Sequence, residues 1–422
     1  MEKDSHKATL HHVTHRDGEF CDLISRRTFL SLLISSSLLA TRALAQAPTD
    51  QRERFRRMSE EAERRGLGEP FKGITANGKV TEGLFPIKST GVSTAPVRNA
   101  AEALLASLSP EQRVKTMFPI DDPEWRKWMN QHFYVRQGIS FKEMTEAQRE
   151  AAFRLMRASL SAKGMQLTRN IMQLNETLAE LTGDHAFLGE WLYFITIMGK
   201  PSATEPWGWQ LDGHHAIINY FALGDQVVMT PHFAGSEPVI ATSGKYKGTA
   251  ILQDEQNQGL SFVKGLTDVQ QKRTVLSFSK AGNNNLTEAF KDNVVLDFAG
   301  IPASELSTRQ RQEMLELVAL YIGNMDDGHA RVKMEEVKRH LDSTYFAWIG
   351  GTDADSVFYY RIQSPVVLIE FDHQRPANLS RFAVDPKQPT RQHIHVVVRT
   401  PNGNDYGKDL LRQHYLKQRH DR

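Results

Sequence analysis

The chain has 422 residues, of which 40% are hydrophobic and 24% are charged. This composition is typical of a globular protein with a substantial core and excludes a disordered tail. The 52 Lys and Arg residues nearly balance the 50 Asp and Glu residues, so a net charge of +2 gives nucleic acid or an anionic membrane little to bind. We therefore expect a small-molecule substrate and no nucleic acid partner.

The N-terminal region has the pattern of a twin-arginine export signal. Two arginines in SRRTFL, residues 25–30, precede a serine-rich apolar run that carries no charge over residues 28–41. This run is shorter than the roughly 18–20 residues that span a bilayer, so we expect no stable membrane anchor. We predict cleavage after Ala45, with a second acceptable site at Ala47, and export to the periplasm by the twin-arginine machinery. The alternative is a cytoplasmic helix that contains an arginine pair.

Cleavage would also remove Cys21, the only cysteine of the chain. The mature protein would then have no thiol chemistry, no thiolate metal ligand and no intrachain disulfide. The resemblance to a twin-arginine signal implies export of a folded protein, a route often used when a cofactor is inserted first. It therefore favours a bound metal.

We predict three segments: a signal peptide over residues 1–45, an irregular arm over residues 46–95 and a single α+β domain over residues 96–422. Residues 51–65 are rich in Arg and Glu, which is typical of a solvated helix or a loosely attached arm. No internal repeat and no long linker divides the remainder, although its length would allow two domains.

Helix signals dominate the first part of this domain. Apolar residues recur at helical spacing over residues 97–108, and capping boxes begin at Ser109 and Thr145. A further amphipathic stretch, Met165–Leu181, ends before Gly183. These signals predict a mainly helical N-terminal layer.

Aromatic and β-branched runs predict an antiparallel sheet after residue 190. Two such runs joined at Gly224-Asp225 have the pattern of a hairpin. We predict a polar loop over residues 244–265 and a helix over residues 307–323. Further strands are expected in EWLYFITIM, TYFAWIGG, VFYYRIQSPVVLIEFDHQ and HIHVVVRT, with a last helix in KDLLRQHYLK. The predicted fold class is α+β, with helices packed on an antiparallel sheet.

Histidines are the main chemical signal, and five of them fall in three short apolar strand segments: His214, His215, His232, His393 and His395. Residues two apart on a strand share a face, so His393 and His395 can bind one metal ion. His214 and His215 are adjacent and should point to opposite faces unless Gly213 kinks the backbone. A lone strand histidine is more often a hydrogen-bonded residue than a ligand, but this clustering favours a metal.

The predicted hairpin offers further ligands. If Gly224-Asp225 is a two-residue turn, His215 lies diagonal to His232 on one face, and His214 lies diagonal to Glu237 on the other. A shift of one residue in register would exchange these partners. We expect His214, His393 and His395 as leading ligands, with His215 or His232 as a fourth and Glu237 as a ligand or base.

Polar residues follow His395 in the segment RTPNGNDYGKDL. Arg399 could bind a substrate carboxylate, Asp405 could orient an imidazole and Tyr406 could donate a proton. The equally weighted alternative is a hydrogen-bonded turn that caps the last helix.

The segments WGWQLDGHH, TPHFAGSEP, FYYRI with PVVLIEFD, and HIHVVVRTPNGNDYGKDLL resemble a family of secreted bacterial proteins known only as a domain of unknown function, DUF3500. The resemblance extends from about Leu104 to His414 and brings no known activity. It implies that eight residues occupy family motif positions: His214, His215, His393, His395, Asn404, Asp405, Tyr406 and Gly407.

We therefore predict an exported metal-dependent enzyme in which three or four ligands leave one position of a divalent ion open. Zinc would support hydrolysis, whereas iron, copper or manganese would permit oxidative chemistry. A hydrolase is slightly favoured because no nucleotide or haem motif is present. The alternative is a metal-free periplasmic protein that binds a ligand or has a structural role, with hydrogen-bonded histidines.

Overall fold

A computed structural model of the protein describes residues 50–420. The predicted signal peptide, with Cys21 and the cleavage site after Ala45, lies outside these residues. The described residues from Phe55 onward form one compact unit. None of the helices in the described range combines the length and apolar character that a bilayer span requires. The division into signal, arm and single domain stays a prediction.

The described strands form one mostly antiparallel sheet with the order β1-β3-β4-β5-β7-β13-β12-β11-β10-β8. The short strands β2, β6 and β9 pair with β3, β5 and β10. The bounds are β1 Met117–Phe118, β2 Ile139–Ser140, β3 Tyr193–Gly199, β4 Trp207–Gly213, β5 Ala216–Leu223, β6 Gln226–Val228, β7 His232–Ser236, β8 Val275–Ser277, β9 Ile301–Pro302, β10 Tyr345–Gly350, β11 Phe358–Gln363, β12 Leu368–His373 and β13 Ile394–Arg399.

Helices precede, interrupt and follow this sheet, which confirms the predicted α+β class. The helix bounds are α1 50–66, α2 Ala95–Ser107, α3 Pro110–Thr116, α4 Glu146–Ser159, α5 Ala162–Thr182, α6 Gln253–Lys264, α7 Asp268–Thr274, α8 Thr308–Ile322, α9 Asp327–Arg339 and α10 Lys408–His420. The capping boxes predicted at Ser109 and Thr145 form, with hydrogen bonds in both directions. Gly183 ends α5 in the left-handed conformation, as the sequence predicts.

Helix α6 corrects one prediction, because it occupies most of the polar loop expected over residues 244–265. Its sequence, QDEQNQGLSFVK, begins without a side-chain cap and has a polar first half. Its large buried apolar residues, Leu260, Phe262 and Val263, all lie in the last part of the helix. Packing of this apolar end against the rest of the protein therefore stabilises a helix that its local sequence does not signal.

The central strands are buried on both faces, since one hydrophobic cluster lies on each side of the sheet. The larger cluster includes Leu155 of α4 and Ile171 of α5. The smaller cluster includes Trp128, Phe221 and Phe233. This double burial explains why every residue of β5 is buried and why its sequence is apolar on both faces except at Asn219.

The β5–β7 pairing differs by one residue from the predicted hairpin. Gly224-Asp225 does form the turn, since Leu223 pairs with Gln226. Residues 229–231 then leave the ladder, so His232 pairs with Ile218 instead of Ile217. This shift places every side chain of β7 on the opposite face of the sheet from the one predicted.

Candidate metal centre

Three histidine side chains meet at one end of strands β7 and β13. The Nε2 atoms of His393 and His395 are 3.0 Å apart, and Nε2 of His215 lies 3.2 Å from His395 and 3.3 Å from His393. All three residues are buried. We call His215, His393 and His395 the histidine triad. It could hold a metal ion.

His215 reaches the triad because it lies in a turn and not in a strand. Residues 214–215 connect β4 to β5, and Gly213 pairs directly with Ala216. His215 has a φ of 65°, in the left-handed region that few non-glycine residues adopt. Its N–H donates to the Asn130 carbonyl and its carbonyl accepts from Gly235. These bonds hold the turn against β7.

Gly235 makes room for the triad. It pairs with His395 across the β7–β13 ladder. A Cβ atom at Gly235 would lie 3.2 Å from a carbon of the His395 ring, 3.3 Å from a carbon of the His215 ring and 2.5 Å from the Ile394 carbonyl oxygen. The absence of a side chain here therefore lets two imidazoles from distant parts of the chain approach each other.

The hydrogen bonds of the His393 and His395 imidazoles indicate where their protons are. His393 Nδ1 donates to the Arg375 carbonyl at 2.6 Å, and His395 Nδ1 donates to the Glu288 carboxylate at 2.7 Å. Because a neutral imidazole has one N–H, both Nε2 atoms then have free lone pairs. Two such acceptors 3.0 Å apart repel each other unless a cation lies between them.

The surroundings favour the neutral form of His215 and His395. Burial lowers the pKa of His215 and His395 well below the usual value, and neighbouring imidazoles lower it further. Burial also raises the pKa of Glu288, an effect that the hydrogen bond from Asn285 opposes. Neutral imidazole is the form that coordinates metals.

The spacing of the triad matches a shared metal ion. Bonds of about 2.0–2.1 Å at tetrahedral angles separate two nitrogen ligands by about 3.3–3.4 Å, and octahedral angles separate them by about 2.9 Å. The observed separations of 3.0–3.3 Å lie within this span. Three ligands at these separations would occupy one side of an ion and leave its other side open.

A cavity of about 420 Å³ opens onto the triad. This volume falls in the range of small-molecule sites. Twelve of its fifteen lining residues are polar, and five of these are histidines. The lining residues are Asn130, Gln131, His132, Phe133, His214, His215, Asn283, Glu288, Gln374, Arg375, Pro376, Ala377, Asn378, His393 and His395.

His214, expected as a leading ligand, lies beside the triad and outside the ligand group. Its Nδ1 donates to the Asn175 side-chain oxygen at 2.8 Å, because the Asn175 amide nitrogen itself donates to the Gly189 carbonyl. The His214 ring stacks on His215 with centroids 4.0 Å apart. His214 therefore forms part of the cavity wall.

His232, considered as a fourth ligand, is on the other face of the sheet. The one-residue shift in register places it opposite Ile218 and Val398, in the direction of the larger cluster. Burial lowers its pKa to about 4. It lines a separate small cavity and does not approach the triad.

Glu237, expected as a base or ligand, does not line the triad cavity. Its two carboxylate oxygens accept hydrogen bonds from the backbone N–H groups of Ala377 and Asn378, at 2.9 and 2.8 Å. The same loop supplies the Arg375 carbonyl that holds His393. Glu237 thus holds the loop that orients one ligand.

Arg399, Asp405 and Tyr406 also lie outside the cavity wall, and all three are fully buried. Arg399 pairs with Asp292 at 3.0 Å and with Asp405 at 3.2 Å. The Tyr406 hydroxyl donates to Asp292 at 2.9 Å. Their polar groups contact one another and Asp292, and none of the three lines the cavity, so their expected catalytic roles stay predictions. The turn before α10, the alternative interpretation, is present.

Arg399 affects the triad indirectly, through the backbone segment that carries Glu288. Its guanidinium donates to the backbone carbonyls of Thr287 and Glu288. These bonds fix the segment that presents the Glu288 carboxylate to His395. Arg399 is therefore a positioning residue of the same site.

The sequence analysis missed Glu288, Asn130 and Arg375, which contact the triad through hydrogen bonds. Glu288 follows the loop KAGNNNLT, where no periodic pattern marks it. Asn130 and Arg375 act through backbone carbonyls, which every residue has. Of the residues at this site, only His393 and His395 have a sequence spacing that indicates a shared position.

The fold and site define an α+β protein with a buried histidine triad at one end of the central strands of its sheet. The chain belongs to the DUF3500 family: the family model described as a protein of unknown function (DUF3500) matches residues 90–408. No curated protein and no solved structure matches the chain.

Proposed function

We propose that the protein is a metal-dependent hydrolase that acts on a small molecule, with its ion held by the histidine triad. One observation carries this proposal. The Nε2 atoms of His393 and His395 are 3.0 Å apart although both rings have their proton at Nδ1. A shared cation explains why these two lone pairs face each other.

The donor set favours hydrolysis over oxidation. Some catalytic zinc sites have three neutral nitrogen ligands and an open fourth position. Many iron oxygenases instead use two histidines and a carboxylate as ligands. Glu288, a carboxylate that contacts the triad, accepts from His395 Nδ1 and is not a member of the ligand group. A zinc ion bound here would supply an activated water near neutral pH.

The chain's own residues orient the ligands and admit the substrate. Glu288 and the Arg375 carbonyl keep the imidazoles of His395 and His393 directed at a common point. Such hydrogen bonds to ligating histidines fix the tautomer and strengthen metal binding. The cavity gives a small substrate access to the open side of the triad.

Metal analysis of purified protein tests the proposal. We expect about one zinc ion per chain and none in the double variant His393→Ala, His395→Ala. A second variant, His232→Gln, is the matched control, because this histidine lies on the opposite face of the same sheet and should leave the metal content unchanged. Undiminished metal in the double variant would refute the ligand assignment.

The hydrolytic activity is tested with an activated ester, p-nitrophenyl acetate. We expect the zinc-loaded protein to hydrolyse it well above the background rate, and the chelated protein and the double variant to stay at background. Equal rates in the zinc-loaded and chelated protein would contradict the proposed role of the metal.

We also propose that the protein acts in the periplasm after twin-arginine export. The support is the SRRTFL motif and the uncharged run that follows it. Replacement of Arg26 and Arg27 by Lys should block export and leave the full-length precursor in the cytoplasm. A processed periplasmic form of this variant would count against the route.

A further inference from the structure

We propose that the substrate is an anionic small molecule whose carboxylate or phosphate group is bound by the Arg375 side chain. This inference rests on the proposed function, because it names the substrate class of the triad cavity. Four features carry it: the charge balance of the cavity, the free donors of Arg375, the position of Arg375 and the polar groups of the wall.

The charge balance comes first. Three neutral imidazoles leave the two positive charges of a divalent ion without compensation. Arg375 and Glu288 are the only Asp, Glu, Lys or Arg residues among the described lining residues, and their charges cancel. Glu288 is also engaged by His395 and Asn285. The loaded cavity therefore favours a substrate with negative charge.

Arg375 has donors available for such a group. Among the described residues, its guanidinium donates only to the Ala281 carbonyl, through Nη2. Its Nε and Nη1 groups remain for a ligand. The side chain is exposed and its residue lines the cavity. A guanidinium binds carboxylate or phosphate oxygens through two parallel hydrogen bonds, which gives orientation as well as affinity.

The backbone of Arg375 connects the proposed anion-binding side chain to the histidine triad. Its backbone carbonyl holds His393, and its backbone N–H donates to the Asn283 side chain. The loop that carries the guanidinium is thus anchored at a metal ligand. A substrate bound by this arginine would be held within the same small cavity as the open side of the ion.

The rest of the wall suits an oxygen-rich molecule. It has few apolar residues, namely Phe133, Pro376 and Ala377. Carboxamides predominate, and they can donate to or accept from hydroxyl and carbonyl groups. The five carboxamide residues are Asn130, Gln131, Asn283, Gln374 and Asn378.

Calorimetric titration of the zinc-loaded protein tests the proposal, with succinate as the carboxylate probe and glycerol 3-phosphate as the phosphate probe. Neutral succinamide serves as the uncharged analogue of succinate. We expect at least one anion to bind, and Arg375→Gln to weaken that binding by about tenfold or more. The anion that binds more tightly identifies the charged group of the substrate as carboxylate or phosphate.

Arg381→Gln is the matched control, since Arg381 is exposed on the same loop region but does not line the cavity. It should leave anion affinity unchanged. Equal affinities of wild type and Arg375→Gln, or succinamide binding as tight as succinate, would overturn the inference. The zinc content of each protein is measured first. Absence of zinc from the wild type refutes the proposed function, whereas full zinc without anion binding refutes only the substrate class.

Discussion

Strand β13 carries two buried polar clusters that differ in how their groups are satisfied. At its beginning, His393 and His395 direct free lone pairs at each other. At its end, Arg399 contacts two aspartates and two carbonyls, and Arg126 pairs with one of those aspartates, Asp292. The second cluster balances two arginines with two aspartates.

This difference distinguishes a binding site from an architectural network. Buried polar groups are normally paired, so a complete network needs no ligand to explain it. Two acceptor atoms that face each other are not paired in this way, and a bound cation would satisfy both. The comparison therefore supports the proposal that the triad carries the chemistry and that the Arg399 network holds the triad in place.

The largest expected effect is on the architectural side. Arg399→Met should lower the free energy of unfolding by about 3–5 kcal/mol, because it leaves Asp405 and part of Asp292 without their cation in a buried site. Urea denaturation measures this. The control, Arg412→Met, removes an exposed pair with Asp409 and should change stability by less than about 1 kcal/mol. Equal effects of the two variants would contradict the network's role.

Gly235→Ala should affect the triad itself. The added Cβ meets the Ile394 carbonyl at 2.5 Å, so the strands must shift at a cost of about 1–3 kcal/mol. The shift displaces His215 or His395, so zinc affinity should fall together with stability. Gly265→Ala, whose Cβ would have only ordinary contacts, serves as the control. Unchanged zinc affinity in Gly235→Ala would show that the triad does not depend on this close approach.

Glu288→Gln should separate metal binding from folding. It removes the charge that orients His395, and loss of such a partner lowers metal affinity by about 10–100-fold. The partly exposed side chain should allow folding with little loss of stability. Competition with a zinc chelator measures the affinity. An affinity equal to that of wild type would remove Glu288 from the site.

Glu237→Gln should have the smallest effect. One of its two backbone hydrogen bonds is lost, which should lower the free energy of unfolding by about 1 kcal/mol. Zinc should still bind, slightly more weakly, because the 375–378 loop is less firmly held. Complete loss of zinc in a folded Glu237→Gln protein would instead indicate a direct role as ligand.

Local sequence signals predicted most of the fold. Capping boxes at Ser109 and Thr145 and the turn at Gly224-Asp225 depend on neighbouring residues alone, and all three form. Helix α6 was missed because its stability comes from packing of its last residues. Tertiary contacts of this kind leave little trace in the local pattern.

Only the part of the site that depends on the geometry of neighbouring residues could be predicted from the sequence. The two-residue spacing on one strand identified His393 and His395 without knowledge of the fold. The choice between His214 and His215 required the turn conformation, and the exclusion of His232 required the register of β5 and β7. Arg399 was noticed for its charge, but its role depends on Asp292 and Glu288, which lie more than a hundred residues earlier.

X-ray absorption spectroscopy at the zinc edge of the loaded protein tests the central claim most directly. The account predicts three imidazole nitrogens at about 2.0–2.1 Å, with their outer-ring scattering, plus a further oxygen ligand. The imidazole scattering should disappear in the His393→Ala, His395→Ala variant. A zinc site with one imidazole or none in the wild-type protein would contradict it.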